Sequence, residues 1–221
     1  MNWRWDLAWQ VLPHLLEATL ATLAAAIIGY SIALVGGLVM ALGQRTPSRI
    51  LTVAVRETVE FIRSTPLVLQ IFFIFFVGPQ FGIRLSPWVA GMIALGLHYS
   101  AYMSEVYRGG LEAVPRGQWE AALALNLSTR STYMRIIIPQ AIVPAITGIG
   151  NYLVGIIKDT PLLSVIGVAE LMHTASSIGA ENLRFLEPYT IVGLIFLLIS
   201  LPASGLTRLF ENWLRRKLGM G

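Results

Sequence analysis

Long apolar stretches separated by short polar ones dominate the chain. Residues 15–42 carry one charge, Glu17, and exceed the roughly 20 apolar residues with which a helix crosses a bilayer. Similar stretches at 87–104, 140–157 and 188–209 predict three further spans. With the interrupted block described next, the pattern predicts five transmembrane helices.

The second apolar block has an unusual composition. Residues 67–77 are apolar apart from Gln70 but too short to span, so we predict a helix over 51–77 that includes the charged residues before them. Thr65 and Pro66 interrupt this helix, because proline lacks the backbone donor and its ring clashes with the preceding turn. A broken, charge-bearing helix entering the membrane indicates a functional role.

Two connecting segments complete the predicted architecture. Residues 161–172 are semi-apolar but too few to cross, so we predict a re-entrant or interfacial helix there. Residues 105–139 form the one long polar segment. The predicted fold is an all-α helical membrane bundle, a single domain over residues 1–221.

Composition supports a membrane location and excludes several classes of site. Charged residues make up 13% of the chain, about half the share in soluble domains, and the mean hydropathy is +0.68. The net charge of +4 is too small to indicate nucleic-acid binding. Without cysteine there is no disulfide or thiolate site, and the three histidines lack a second ligand at helical spacing. We therefore predict no metal and no cofactor.

The basic residues predict an orientation. Twelve Lys and Arg fall on one side of the predicted spans and four on the other, which accounts for all 16. Because cytoplasmic loops of membrane proteins carry excess Lys and Arg, the N-terminus is predicted outside and the C-terminus in the cytoplasm. The four outer residues are Arg4, Arg84, Lys158 and Arg184.

The cytoplasmic segment 105–139 predicts a small helical projection. Residues 118–125 favour a short helix that ends at Asn126, a residue type that tolerates left-handed backbone. A second short helix begins near Ser128, whose hydroxyl can cap it, and Pro139 leads into the fourth span. By composition alone, a plain surface loop between two spans is the favoured interpretation.

Spaced motifs decide between these interpretations. Glu120-Ala121-Ala122, then Asn126, then residues 136–139 (Ile-Ile-Ile-Pro) resemble the EAA loop of ABC-importer permeases, although Asn126 stands where that family has glycine. Several further runs resemble its polar amino-acid branch, and the resemblance extends from residue 15 to 210. These runs are residues 63–67, 101–110, 117–120 and 158–167.

The resemblance implies a transport subunit that is not itself an enzyme. The resemblance implies that a separate cytoplasmic ATPase dimer hydrolyses ATP, and the chain agrees in having no phosphate-binding G-x-x-x-x-G-K-[ST] motif. A second permease chain, either a paralogue or another copy, would complete the pathway in the bacterial inner membrane. A periplasmic binding protein, or a lipoprotein in bacteria with one membrane, would deliver the substrate.

The predicted contact with the ATPase is the loop itself. Exposed alanines at 121, 122 and 124 would permit close helix approach, and Glu120 would offer a charge to a basic partner residue. The residues assigned to ATPase coupling are Gly117, Glu120, Ala121, Ala122, Asn126 and Pro139.

Charges near the interrupted helix and the end of the fourth span suggest a substrate site. We predict that Arg63 binds a carboxylate and Asp159 a cationic group, which suits a zwitterion. Alternatively, Arg63 pairs with Glu57 or Glu60, and Lys158 and Asp159 form an interfacial ion pair. The full predicted set is Arg63, Thr65, Pro66, Gln70, Asn151, Lys158, Asp159 and Thr160.

The family branch suggests histidine, arginine, glutamine, glutamate or a related zwitterion as substrate. The outer segment 172–189 resembles that of ectoine permeases. Two other classes fit less well. A membrane-embedded enzyme would need a catalytic cluster within the spans, and ion-driven transporters usually carry internal repeats and more spans, which we do not find.

Overall fold

The computed structural model describes residues 2–217, which form helices and connecting turns without a β-strand. This confirms the predicted all-α class. The α-helices are α1 (Trp5–Gly43), α2 (Arg49–Ser64), α3 (Leu67–Phe72), α4 (Pro87–Glu112), α5 (Arg116–Ala124), α6 (Thr129–Thr132), α7 (Ile138–Asp159), α8 (Leu171–Glu181) and α9 (Leu186–Lys217). Two π-helical turns, Phe73–Val77 and Tyr133–Ile137, continue α3 and join α6 to α7. Two 3₁₀ segments, Gly78–Phe81 and Thr160–Ile166, follow α3 and α7.

Three continuous helical segments are long and apolar enough to cross a membrane: Trp5–Gly43, Thr129–Ile166 and Leu186–Lys217. The predicted helix over 51–77 is interrupted, as expected, and its two parts, α2 and the segment that begins with α3, meet at an angle of 108°. The break itself lies at Thr65 and Pro66 as predicted. The bent pair would make a fourth span, and the predicted total of five stays a prediction.

Helix α4 lies at the centre of the bundle, where α1, α2, α3 and α7 pack against it. Three of its polar residues, His98, Ser100 and Ser104, are buried. Small residues on α1 allow close approach to α4: a Cβ added at Gly37 would lie 2.6 Å from the Cβ of Met103.

The N-terminal part of α1 packs with α8 and α9 in a second apolar region. α1 begins at Trp5, ten residues before its predicted span, and its 39 residues extend about 58 Å. That length exceeds the ~30 Å hydrocarbon core, so one end projects beyond it. Leu7 and Val11 from this end pack with Leu171 of α8 and Val192 of α9.

The predicted re-entrant or interfacial helix over 161–172 is not one continuous helix. Residues Thr160–Ile166 form a 3₁₀ segment that stops at Gly167, whose φ of 79° is the left-handed backbone that glycine accommodates. α8 then starts at Leu171 with Glu170 as its N-cap. The buried Glu170 carboxylate accepts hydrogen bonds from the amides of Met172 (2.9 Å) and His173 (2.7 Å).

Candidate functional site

Three tyrosines from two helices meet between α4 and α7. Tyr99 and Tyr102 lie three residues apart on α4 and therefore share a face, and Tyr152 reaches them from α7. The ring centroids are 6.3 Å (Tyr99–Tyr102), 5.9 Å (Tyr99–Tyr152) and 5.6 Å (Tyr102–Tyr152) apart. We call these three residues the tyrosine cluster.

Opposite charges lie on two sides of the tyrosine cluster. The carboxylate of Asp159 accepts a hydrogen bond of 2.7 Å from the Tyr99 hydroxyl. The guanidinium carbon of Arg63 lies 5.6 Å from the centre of the Tyr102 ring, within cation–π range. The structure therefore brings Arg63 and Asp159, both assigned from sequence, to one cluster from different helices.

A charged cavity of about 500 Å³ opens beside Arg63. Arg63 is loosely paired in it, at 3.4 Å from Glu60 and 3.8 Å from Glu105, whereas Arg108 contacts Glu105 at 2.6 Å. The Arg63–Glu60 ion pair, predicted as an alternative, is thus present, with a long nitrogen–oxygen distance of 3.4 Å. The lining residues are Gln44, Thr52, Arg56, Val59, Glu60, Arg63, Glu105 and Arg108.

The break between α2 and α3 lies next to Arg63 and contains or adjoins three predicted site residues, Thr65, Pro66 and Gln70. Pro66 is exposed and begins the turn into α3. The polar atoms of Gln70 are engaged within the protein, with Thr65 and with His98. These residues therefore lie beside the site, but the polar groups of Thr65 and Gln70 form hydrogen bonds within the protein at the break.

The remaining predicted substrate residues lie on or just after α7 and do not converge on the cluster. Asn151 is exposed, about 12 Å along the helix from Asp159. Thr160 is buried, and its hydroxyl donates to the Ile157 carbonyl at 2.9 Å.

Lys158 points away from Asp159 into a different environment. It lies on a groove of about 440 Å³ between α7 and α9, together with Pro161, Phe196 and Ser200. In the part of the chain that the structure describes, Lys158 makes no ion pair within 4.0 Å, so the alternative of a Lys158–Asp159 pair is not observed.

The projecting loop folds as a helix–turn–helix. α5 covers Arg116–Ala124, and Asn126 has a φ of 50°, which confirms the expected left-handed residue at its end. The Ser128 hydroxyl accepts a hydrogen bond from the Ser131 amide and caps α6, also as expected. Pro139 lies in the first turn of α7.

The surface of this loop differs from the predicted one. Gly117, Glu120 and Ala121 are exposed, but Ala122 is 1% exposed, so its predicted display to a partner is wrong. The side chain faces inward because α5 turns that face toward the loop's own core. The largest apolar groups facing outward are instead Leu123 (78% exposed) and Leu125 (71% exposed).

Comparison with known proteins identifies the chain. Residues 33–216 match the family described as "Binding-protein-dependent transport system inner membrane component". The chain belongs to this family. It is accordingly a permease subunit of the inner membrane and not itself an enzyme; the ATPase of such transporters is a separate subunit.

Two relatives and one solved structure illustrate the similarity of this permease to known proteins. It is 43% identical to y4tG of Sinorhizobium fredii, named a probable amino-acid ABC transporter permease, over 91% of this chain and 87% of that one. It is 34% identical to the glutamine transport system permease GlnP of Escherichia coli, over 96% and 98%. A crystal structure of an amino acid ABC transporter with histidines superposes with a TM-score of 0.91 at 32% identity, covering 96% of this chain and 99% of that one.

Sequence reasoning missed several parts of the candidate site. The tyrosines were not singled out, although the spacing of Tyr99 and Tyr102 at i and i+3 places both on one helix face. Glu105 was counted as part of the loop, but it continues α4 and lines the charged cavity. The exposure of Leu123 and Leu125 has no signal in the sequence, because two leucines in a short helix and its end are as compatible with burial as with exposure.

Proposed function

We propose that this permease is one of two chains that form the pathway of an ATP-driven importer for polar amino acids or a related zwitterion such as ectoine. The printed names of its relatives refer to amino acids and to glutamine, which supports this substrate class. The observation that carries the proposal is the tyrosine cluster with Arg63 on one side and Asp159 on the other.

The chemistry of this arrangement suits a zwitterion. A guanidinium binds a carboxylate through charge-assisted hydrogen bonds, and Arg63 is free to do so because its own pairs with Glu60 and Glu105 are long. An ammonium group is attracted both to the Asp159 carboxylate and to tyrosine ring faces. Glu105 does not compete strongly for Arg63, because Arg108 already pairs with it at 2.6 Å.

The role of Arg63 is tested by paired ligands that differ in one group. Binding of labelled L-arginine and of agmatine, which lacks the carboxylate, is measured on the complete transporter complex in nanodiscs. A hydrogen bond to a charged group contributes about 1.5–3 kcal/mol, so Arg63→Ala should weaken arginine binding by roughly 10–100-fold and leave agmatine binding almost unchanged.

The matched control for this measurement is Arg49→Ala, which removes an exposed arginine at the start of the same helix. It should leave both ligands unaffected. Equal losses for arginine and agmatine on Arg63→Ala, or no loss for either, would refute the carboxylate role.

The second part of the proposal concerns coupling. The projecting loop docks on the cytoplasmic ATPase dimer through Glu120 and the exposed Leu123 and Leu125, while Ala122 supports the helix from inside. The N-terminus lies outside, where a substrate-binding protein delivers the substrate, and the C-terminus lies in the cytoplasm. The uneven distribution of basic residues supports this orientation.

Affinity purification of the tagged chain from its native membrane in mild detergent tests the assembly. Recovery of an ATPase with a second permease chain, or with a second copy of this one, supports the importer. A folded chain that brings down neither would refute the coupling assignment.

A further inference from the structure

The break between α2 and α3 removes hydrogen-bond donors from the last turn of α2. In a continuous helix, the Ile62 carbonyl would accept from the amide of residue 66, but Pro66 has no N–H. The Arg63 carbonyl would accept from the amide of residue 67, but residue 67 begins the next helical segment, which lies at an angle of 108° to α2. In a membrane-embedded protein an unsatisfied carbonyl is costly, so other groups must replace these donors.

The Ile62 carbonyl keeps a long bond of 3.4 Å from the Thr65 amide and accepts from the Thr65 hydroxyl at 3.1 Å, and side chains from α3 and α4 supply further donors. The Gln70 Nε2 lies 2.8 Å from the Ile62 carbonyl, 2.7 Å from the Thr65 hydroxyl and 3.1 Å from the Thr65 carbonyl. An amide group has two hydrogens, so it satisfies two of these three at once. The Tyr102 hydroxyl donates to the Arg63 carbonyl at 3.2 Å.

The orientation of the Gln70 amide follows from its surroundings. Carbonyl groups only accept hydrogen bonds, so the nitrogen of the amide must face Ile62 and Thr65 and its oxygen must face α4. There the Nδ1 of His98 lies 3.2 Å from the Gln70 Oε1. Because that oxygen only accepts, the Nδ1 of His98 must donate this hydrogen bond and therefore carries a proton. The His98 side chain is held in place by its burial, at 8% exposure.

We propose that Gln70, oriented by His98, is a positioning residue for Arg63. The two side chains hold the last turn of α2 in the conformation that sets the Arg63 guanidinium above Tyr102. Gln70 thus acts on the substrate through Arg63 and does not contact the substrate. This inference rests on the proposed carboxylate-binding role of Arg63.

A double-mutant cycle tests the inference on the complete transporter complex. Arginine binding is measured for Gln70→Leu, Arg63→Ala and the combination of both. Gln70→Leu should weaken arginine binding by about tenfold when Arg63 is present and cause no further loss in the Arg63→Ala background, because residues that act through one another are not additive.

The results separate the two proposals. A strong Arg63→Ala effect with no Gln70→Leu effect, or with the same Gln70→Leu loss in both backgrounds, overturns the positioning role alone. An Arg63→Ala variant that binds arginine normally overturns the carboxylate role and, with it, the positioning role.

Variants of His98 provide an independent measurement. They test the positioning role even if the Gln70→Leu variant does not assemble into the transporter complex. His98→Asn retains an N–H donor near the position of Nδ1 and should keep close to normal arginine binding. His98→Leu removes that donor and should match Gln70→Leu; equal binding by the two His98 variants would overturn the inference. Thr58→Val is the control, since the Thr58 hydroxyl on α2 donates to the Ala54 carbonyl at 2.8 Å, away from the break.

Discussion

Truncation of one exposed leucine on α5 provides a quantitative test of the coupling surface. Full burial of a leucine side chain is worth about 1.5–3 kcal/mol. Leu123 is 78% exposed, so covering it with a partner would contribute on the order of 1–2 kcal/mol, most of which Leu123→Ala would remove. The dissociation constant between the permease in nanodiscs and its ATPase should therefore rise by roughly 5–30-fold.

The control for this experiment lies at the opposite end of the molecule. Leu183, after α8, is 81% exposed, and Leu183→Ala should leave the dissociation constant of the ATPase unchanged. Ala122→Leu provides a contrast, since Ala122 is buried and a larger side chain there should lower the unfolding temperature of the permease. An unchanged dissociation constant for Leu123→Ala, or the same loss for Leu183→Ala, would refute the docking of α5.

Two further predictions concern packing and pH. Gly37→Ala should reduce the free energy of unfolding by about 1–3 kcal/mol and lower the unfolding midpoint, because the added Cβ would lie 2.6 Å from the Cβ of Met103. Gly205→Ala is the control, since a Cβ there would meet nothing within 4 Å and should leave the midpoint unchanged. Equal midpoints for the two variants would contradict the packing argument. Burial raises the pKa of the Glu170 carboxyl, so its contribution to stability is full at low pH and is lost as the pH rises through the raised pKa. Glu170→Gln should reduce the loss of stability with rising pH, which is measured from unfolding midpoints between about pH 4 and 8. The same pH dependence in the variant and the original protein would contradict this role of Glu170.

Features that depend on local chemistry were predictable from sequence. The break at Pro66 follows from the missing N–H, whatever lies around it. The left-handed residue at Asn126 and the cap at Ser128 likewise depend on a few neighbouring atoms. The apolar stretches were readable because lipid imposes a length and a composition on every span.

Features that depend on how helices pack were not predictable. Tyr152 joins Tyr99 and Tyr102 only because α7 crosses α4 at that height, which no spacing within either helix determines. Ala121 and Ala122 look alike in sequence, yet the rotation of α5 exposes one and buries the other.

The arrangement of α4 and α7 links the two parts of the proposed function physically. Val114, just after α4, packs with Ile137 and Ala141 near the start of α7, and Trp119 of α5 rests against them. A force on α5 therefore acts on the end of α4 and the start of α7. The same two helices carry the tyrosine cluster and Asp159, with Tyr102 ten residues, or about 15 Å, before the end of α4. Since packed helices move as rigid bodies and do not stretch, we expect a displacement of α5 that shifts one of these ends relative to the other to change the spacing between the tyrosines of α4 and Asp159 of α7.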